Sequence, residues 1–376
     1  MYFNARLFGK AEYLALLGSP FRIRRWAYVI SFTGLFGVMW LIVALGQILD
    51  HILFPGFRKQ EVRAPVFIIA PPRSGTTLVQ KLMSLDDERF VHAKLYQTIL
   101  PCMCYQRLLC GVVWVDTCLG GPLRRLVEAA ERKWFGGWDD MHRMRFKQPE
   151  EDDGFFVYGF MTEAIFLLFP FVKELWEAGF ADALPAGERR RLMAYYKGCL
   201  QRQLYVNGAR KTILSKATQS CGAVRCLLEA FPDAKFITII RHPYQSVASH
   251  VSVFYSVWQA HSPEIARDSQ VSVSYARLAV EWYRHLYRMR SRIDPRRYHC
   301  IDYRHLVADP MGTIGRVYEH FGFAMSGACR ARLAAAVCKE RGFRSAHQYT
   351  LEEFGLSKAW IQEELGEVLD AYGLDR

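Results

Sequence analysis

Between Arg25 and Asp50 the chain carries no charged side chain; WAYVISFTGLFGVMWLIVALGQIL runs apolar from Trp26 to Leu49. Wound as an α-helix, this run is ~36 Å long at ~1.5 Å per residue, enough to cross a hydrocarbon core of ~30 Å. Arg22, Arg24 and Arg25 stand just before it, and Asp50, His51 and the turn pair Pro55-Gly56 follow. Trp26, Tyr28 and Trp40 suit a lipid–water interface. The run is too long and begins too late for a cleaved signal peptide. It predicts a helix in a membrane, either crossing it once or embedded in one face. The competing reading is a very apolar helix buried in protein.

Past Arg63 the pattern changes. Val66 to Ala70 is a short aromatic and β-branched run, the signature of a strand buried on both faces. The loop Pro71-Pro72-Arg73-Ser74-Gly75-Thr76-Thr77 follows, and then Leu78, Val79, Leu82 and Met83 recur at helical spacing. The same order returns later. Phe236 to Ile240 reads as a strand, Arg241-His242-Pro243 ends it, and Tyr244, Val247, Ala248 and Val251 continue at helical spacing. Buried strands alternating with helices predict an α/β fold with a parallel sheet. No repeat or long linker interrupts it, so one boundary is drawn near Gln60: residues 1–60 as a membrane-associated segment, residues 61–376 as the main domain.

A strand, a glycine-containing loop and a helix start make an anion site, because free backbone N–H groups and the positive end of the helix dipole face the ligand. The loop departs from the nucleotide-binding pattern GxxxxGK[ST], since Ala70 takes the first glycine position and Thr76 that of the lysine. A magnesium-dependent kinase is therefore disfavoured. The positive charge sits within the loop, at Arg73. In the second unit Ser249 follows Arg241 by two helical turns, which places a cation and a hydroxyl together at the carboxyl edge of the sheet.

These residues resemble the PRSGTT loop of sulfotransferases that use phosphoadenosine phosphosulfate (PAPS), particularly the bacterial and tyrosylprotein-type branches. The resemblance implies a P-loop-type parallel sheet flanked by helices, here preceded by the amino-terminal hydrophobic helix. It implies transfer of a sulfuryl group from PAPS to a hydroxyl, without a metal. Ser74, Gly75 and Thr76 would offer N–H groups to the phosphosulfate, Thr76 and Thr77 their hydroxyls, and Arg73 its charge at the bridging oxygen. Arg241 and Ser249 would hold the phosphate on the ribose, which ATP lacks. Lys216, in Leu214-Ser215-Lys216 upstream of Phe231-Pro232-Asp233-Ala234, joins Arg73 as a candidate for stabilising the leaving group. Pro149 to Asp153 resembles the PEED stretch of the bacterial branch, Arg297 to Gly322 a late strand and helix, and His347, Tyr349 and Phe354-Gly355-Leu356 a carboxyl-terminal pattern. Two alternatives stay open: another P-loop transferase or kinase, and an inactive PAPS-binding membrane protein.

A general base is the missing piece, because no carboxylate lies where related enzymes often place a glutamate, some twenty residues past the loop. His92 and His142 are the candidates, with Glu151 as a rival. The stretch containing Trp114, Phe155, Phe156, Phe160, Phe166 and Phe169 predicts either an apolar acceptor pocket, suited to a lipid alcohol, or ordinary core. Of 376 residues, 49 are Lys or Arg and 37 Asp or Glu, a net charge of +12. That suits a nucleotide or phospholipid partner, and the motifs leave no role for nucleic acid. The ten cysteines lack CxxC spacing and read as small buried hydrophobes, which favours a cytoplasmic side for the main domain. The basic residues before and after the apolar run point weakly the other way.

Overall fold

The computed structural model describes residues 1–135, 149–208, 210–340 and 349–374. Two helices open the chain, α1 (Ala5–Leu16) and α2 (Ile23–Leu53), so the apolar run lies within one helix that extends past it at both ends. Strand β1 (Val66–Ile69) leads through the glycine loop into α3 (Thr76–Met83), and Ala70 already belongs to the loop. Strand β2 (Phe90–Val91) follows. A long excursion then holds α4 (Leu95–Ile99), α5 (Met103–Cys118), α6 (Pro122–Phe135), α7 (Asp153–Val157) and α8 (Ala186–Asn207). After β3 (Thr212–Lys216) and α9 (Val224–Ala230), strand β4 (Lys235–Ile240) feeds α10 (Pro243–His261) and α11 (Gln270–Met289). Strand β5 (Tyr298–Asp302) precedes α12 (Tyr303–Ala308), α13 (Pro310–His320), α14 (Gly327–Glu340) and α15 (Lys358–Ala371).

The strands form one sheet in the order β2-β3-β1-β4-β5, and every pairing is parallel. Central β1 pairs Phe67 with Ser215 on one side and Ile69 with Thr238 on the other. Side chains alternate across the sheet as the two-residue period of a strand demands. Val66, Ile68, Ile237 and Ile239 pack beneath α3, α13 and α14, against Val79, Ile314 and Leu333. Phe67, Ile69 and Phe236 face the other way, into a larger core with α8, α9, α10 and α11. With both faces covered, central β1 is apolar throughout, VFII, and β4 nearly so, KFITII, whereas β3 ends on Ser215-Lys216 and edge strand β5 carries His299 and Asp302.

The larger core also receives α1 and α2. Leu7, Ala11, Val29, Phe36 and Val43 are buried in it, and Phe32 meets Phe169 ring to ring at 5.9 Å. Gly46 lets α5 come close, because a Cβ there would lie 2.4 Å from the Tyr105 ring. Phe155, Phe156, Phe160, Phe166 and Phe169 are all buried in the same core, whereas Trp114 on α5 is 70% exposed. Of the ten cysteines, all free, five are buried; Cys110, Cys118 and Cys338 are exposed.

Candidate active site

Because β1 and β4 are neighbours running in parallel, their carboxyl ends and the loops after them stand side by side. In the first loop Arg73 has φ of 61°, a left-handed conformation that a side chain with a Cβ adopts at a cost of ~1–2 kcal/mol. Gly75, at φ of 90°, caps the amino end of α3. Its missing Cβ matters twice, since an added one would also lie 3.1 Å from Leu306 and from the Tyr303 ring. Ser74 is buried, while Thr76 is half-buried and Thr77 exposed at the first turn. The backbone thus turns the start of α3 toward the cleft, where unsatisfied N–H groups favour an anion.

Three cations converge there. Arg241 donates from Nη1 to the Arg73 carbonyl oxygen at 2.7 Å, tying the end of β4 to the loop after β1. Its guanidinium lies over the Tyr303 ring at 4.5 Å, and its Nε and Nη2 donate to Gln245 Oε1 at 3.3 and 3.1 Å. Arg73 donates from Nε to Ser249 Oγ at 3.2 Å, so the two elements are bridged again by the hydroxyl paired with Arg241 in the sequence reading. Burial and the neighbouring Arg241 charge lower the Arg73 pKa, while Tyr349, Glu151 and Tyr303 oppose that shift. Lys216, buried at the end of β3, donates to Thr77 Oγ1 at 2.8 Å and pairs with Glu151 Oε1 at 2.6 Å.

The segment from Pro149 to Asp153 is pinned across the strand ends. Gln80 Nε2 donates to the Glu150 carbonyl at 2.9 Å, Glu150 N–H to the Ala93 carbonyl at 2.9 Å, and Asp152 N–H to the Lys216 carbonyl at 2.8 Å. Asp152 accepts from Tyr196 Oη at 2.8 Å, and burial pushes its carboxyl up to about 7. The half-buried Asp153 is raised well above the carboxylate range by desolvation and then by its acidic neighbours.

Not every residue singled out from sequence joins this cleft. Arg73, Ser74, Gly75, Thr76, Thr77, Lys216, Arg241 and Ser249 come together. His92 stands just past β2, and its charged neighbours are Lys94 and Asp87 rather than any of the three cations. Burial, with the Lys94 charge, lowers its pKa to about 4, so it is neutral at neutral pH and a weak proton acceptor. His142 and His347 lie outside the described residues. Tyr303 and Tyr283, whose hydroxyl donates to the Arg241 carbonyl at 2.7 Å, escaped sequence reading because distant elements bring them in. Gln245 was within reach of it, one helical turn after Arg241.

The donor set fits a multiply charged anion such as PAPS: three cations, hydroxyls and a helix start line one cleft. Residues 65–327 match the family model described as the sulfotransferase family. The omega-hydroxy-beta-dihydromenaquinone-9 sulfotransferases Stf3 of Mycobacterium bovis and Mycobacterium tuberculosis are each 27% identical over 319 residues, covering 83% of this chain and 76% of theirs. Among solved structures, sulfotransferase STF1 from Mycobacterium tuberculosis superposes with a TM-score of 0.71 at 18% identity, over 96% of this chain and 91% of that one. Sulfotransferase STF9 from Mycobacterium avium does so with a TM-score of 0.70 at 20% identity, over 87% and 81%. Those two structures speak for the fold, and the family match spans most of the chain. The chain belongs to the sulfotransferase family.

Proposed function

We propose that this sulfotransferase takes its sulfuryl group from PAPS and delivers it to the hydroxyl of an apolar alcohol at a membrane surface. The observation that carries the reading is the 2.7 Å bond from Arg241 to the Arg73 carbonyl, which makes one cleft of two strand ends. A donor with phosphates at two places on its sugar needs such a cleft. The phosphosulfate would lie over Ser74 to Thr77 at the start of α3, and Arg241 with Ser249 would take the ribose phosphate.

In the reaction, the acceptor oxygen forms a bond to sulfur as the bond from sulfur to the bridging phosphate oxygen breaks. The leaving electron pair stays on the nucleotide phosphate, where Arg73 and Lys216 stabilise the growing charge. The acceptor proton goes to a base, and Glu151 is the group we assign. Its carboxylate stands beside Lys216, with a side chain 26% exposed, at the mouth of the site. His92 lacks the surroundings for that part.

An apolar acceptor is supported by the curated relatives, whose name specifies a hydroxylated menaquinone, and by α2, a helix long and apolar enough to cross a membrane. We propose attachment to the membrane through residues 26–49, with residues 61–376 carrying the transferase. Ten free cysteines favour its cytoplasmic face.

The direct test incubates the full chain with PAPS radiolabelled in its sulfuryl group and a lipid extract rich in long-chain alcohols. Label in the organic phase is the expected result. No transfer from PAPS, or transfer from ATP with magnesium in its place, sinks the reading. Arg73→Ala should lower transfer about 10²–10³-fold, with circular dichroism unchanged.

A further inference from the structure

Helix α2 is held to the body of the protein at both ends. At the amino end the buried Arg25 donates from Nε to Ser262 Oγ at 2.9 Å and from Nη2 to Glu264. At the carboxyl end the buried Asp50 accepts from Arg202 Nε at 2.8 Å. It also accepts the backbone N–H groups of Met103 and Cys104, at 2.9 Å each, which begin α5. From Arg25 to Asp50 a helix measures ~37 Å at ~1.5 Å per residue, more than the ~30 Å of a hydrocarbon core. If α2 crossed a bilayer, one of these ionic groups would have to leave its partner, or the partner's helix would have to enter the lipid with it. Stripping a buried charge of its partner is strongly unfavourable.

What faces outward is apolar and wider than α2. Val38, Leu41 and Leu45 form an exposed stripe at helical spacing, and Leu108, Val112 and Val115 form a second one on α5. The helices are joined, because Tyr105 Oη on α5 donates to the Ile42 carbonyl at 3.0 Å. Each helix has a single acidic residue, and both are turned inward: Asp50 as described, and Asp116, which accepts from the N–H groups of Leu123 and Arg124 at 2.7 and 2.9 Å. The exposed cations stand toward the rims: Arg22 and Arg24 at the start of α2, Arg58 and Lys59 after it, and Arg107 near the start of α5, over the Phe54 ring that follows α2.

We propose that α2 and α5 form a docking face for one leaflet of an anionic phospholipid bilayer, with α2 lying in the membrane plane. The apolar stripes enter the boundary between headgroups and acyl chains, and the rim cations meet lipid phosphates. The proposal rests on the membrane attachment argued above and adds to it an orientation and a second helix. Both flanks of α2 then lie on one side, so the distribution of basic residues around it carries no topological information.

The test adds the purified full chain to preformed, sealed phosphatidylcholine vesicles, with or without phosphatidylglycerol. Flotation should succeed and strengthen with phosphatidylglycerol. Val112→Asp should weaken it about tenfold or more; a lone spanning α2 would be indifferent to that change on α5, so unchanged flotation overturns the proposal. Arg24→Cys and Lys59→Cys, in a background with Cys110, Cys118 and Cys338 changed to Ser, report orientation. An impermeant maleimide added outside should label both positions; protection of either until detergent is added means a spanning helix and overturns the orientation alone. Absence of flotation in the unsubstituted chain sinks the attachment itself. A dimer in sedimentation that Val112→Asp dissolves, with no vesicle binding, would assign the face to a second copy of the chain.

Discussion

At the carboxyl ends of β1, β3 and β4 stand Arg73, Lys216 and Arg241: Arg241 bonds the Arg73 carbonyl, Arg73 bonds Ser249, and Lys216 bonds Thr77 at the start of α3. Along α2 the charges are confined to the ends, and each inward one is matched by a partner of opposite sign. Both regions use buried ionic groups, yet they use them differently. In the cleft like charges are gathered beyond what Glu151 balances, which is unfavourable until an anion arrives. On α2 the pairs are closed, with Asp50 taking three donors, and they fix where a helix lies. The difference separates charge held ready for a ligand from charge that positions an element.

That distinction predicts which measurement each substitution moves. Glu151→Gln should have the largest effect, lowering the rate of sulfuryl transfer about 10²–10⁴-fold as expected for loss of a general base. Binding of PAPS should hold, since Lys216 keeps Thr77 as a partner. Single-turnover transfer and a separate binding titration make the check; an unchanged transfer rate would rule Glu151 out as the base. Asp50→Ala should do the reverse. It strands the buried Arg202 and uncaps α5, so urea unfolding should show a loss of about 3–5 kcal/mol. Turnover well below the unfolding transition should be unaltered. A variant of normal stability with impaired transfer would erase the contrast drawn here.

The same contrast explains what could be read from sequence. Both halves of the cleft are local: strand, loop and helix start follow one another in the chain, so Arg73 to Thr77 and Arg241 to Ser249 announce their geometry by spacing. The helix of α2 was equally plain. Its attitude was not, because Arg202 is 152 residues from Asp50 and Glu264 is 239 residues from Arg25. Nothing near a charged helix end says whether its partner is water, lipid or a distant side chain. Tyr283 and Tyr303 were hidden for the same reason. His92 drew notice by its distance from the loop, but β2 is an edge strand and carries it toward Lys94 and Asp87. Most of the aromatic stretch fills the core between α2, α8 and α10, and Trp114 on α5 is the exposed exception among those named.

A smaller effect is expected where recognition rather than chemistry is lost. Arg241→Ala should weaken PAPS by about 1.5–3 kcal/mol, the worth of hydrogen bonds to a charged group, or roughly 10–100-fold. Adenosine phosphosulfate, which lacks the ribose phosphate, should lose less. The difference between the two donors is the informative quantity, because Arg241 also supports the loop through the Arg73 carbonyl. Equal losses would mean that loop support is all Arg241 provides, and would move the ribose phosphate elsewhere.

Gln245 separates those two contributions with the mildest change. Its Oε1 receives Arg241 Nε and Nη2, while Nη1 goes to the Arg73 carbonyl, so Gln245→Ala loosens one side of the guanidinium and leaves the loop contact in place. If Gln245 orients Arg241 toward the ribose phosphate, PAPS should bind about fivefold more weakly, the equivalent of ~1 kcal/mol for one hydrogen-bonding partner, and adenosine phosphosulfate should be untouched. Tighter binding of PAPS would carry the opposite meaning. The glutamine would then be competing for the same N–H groups as the phosphate, and Arg241 would be aimed by the Tyr303 ring beneath it, a contact that fixes its plane without using a donor.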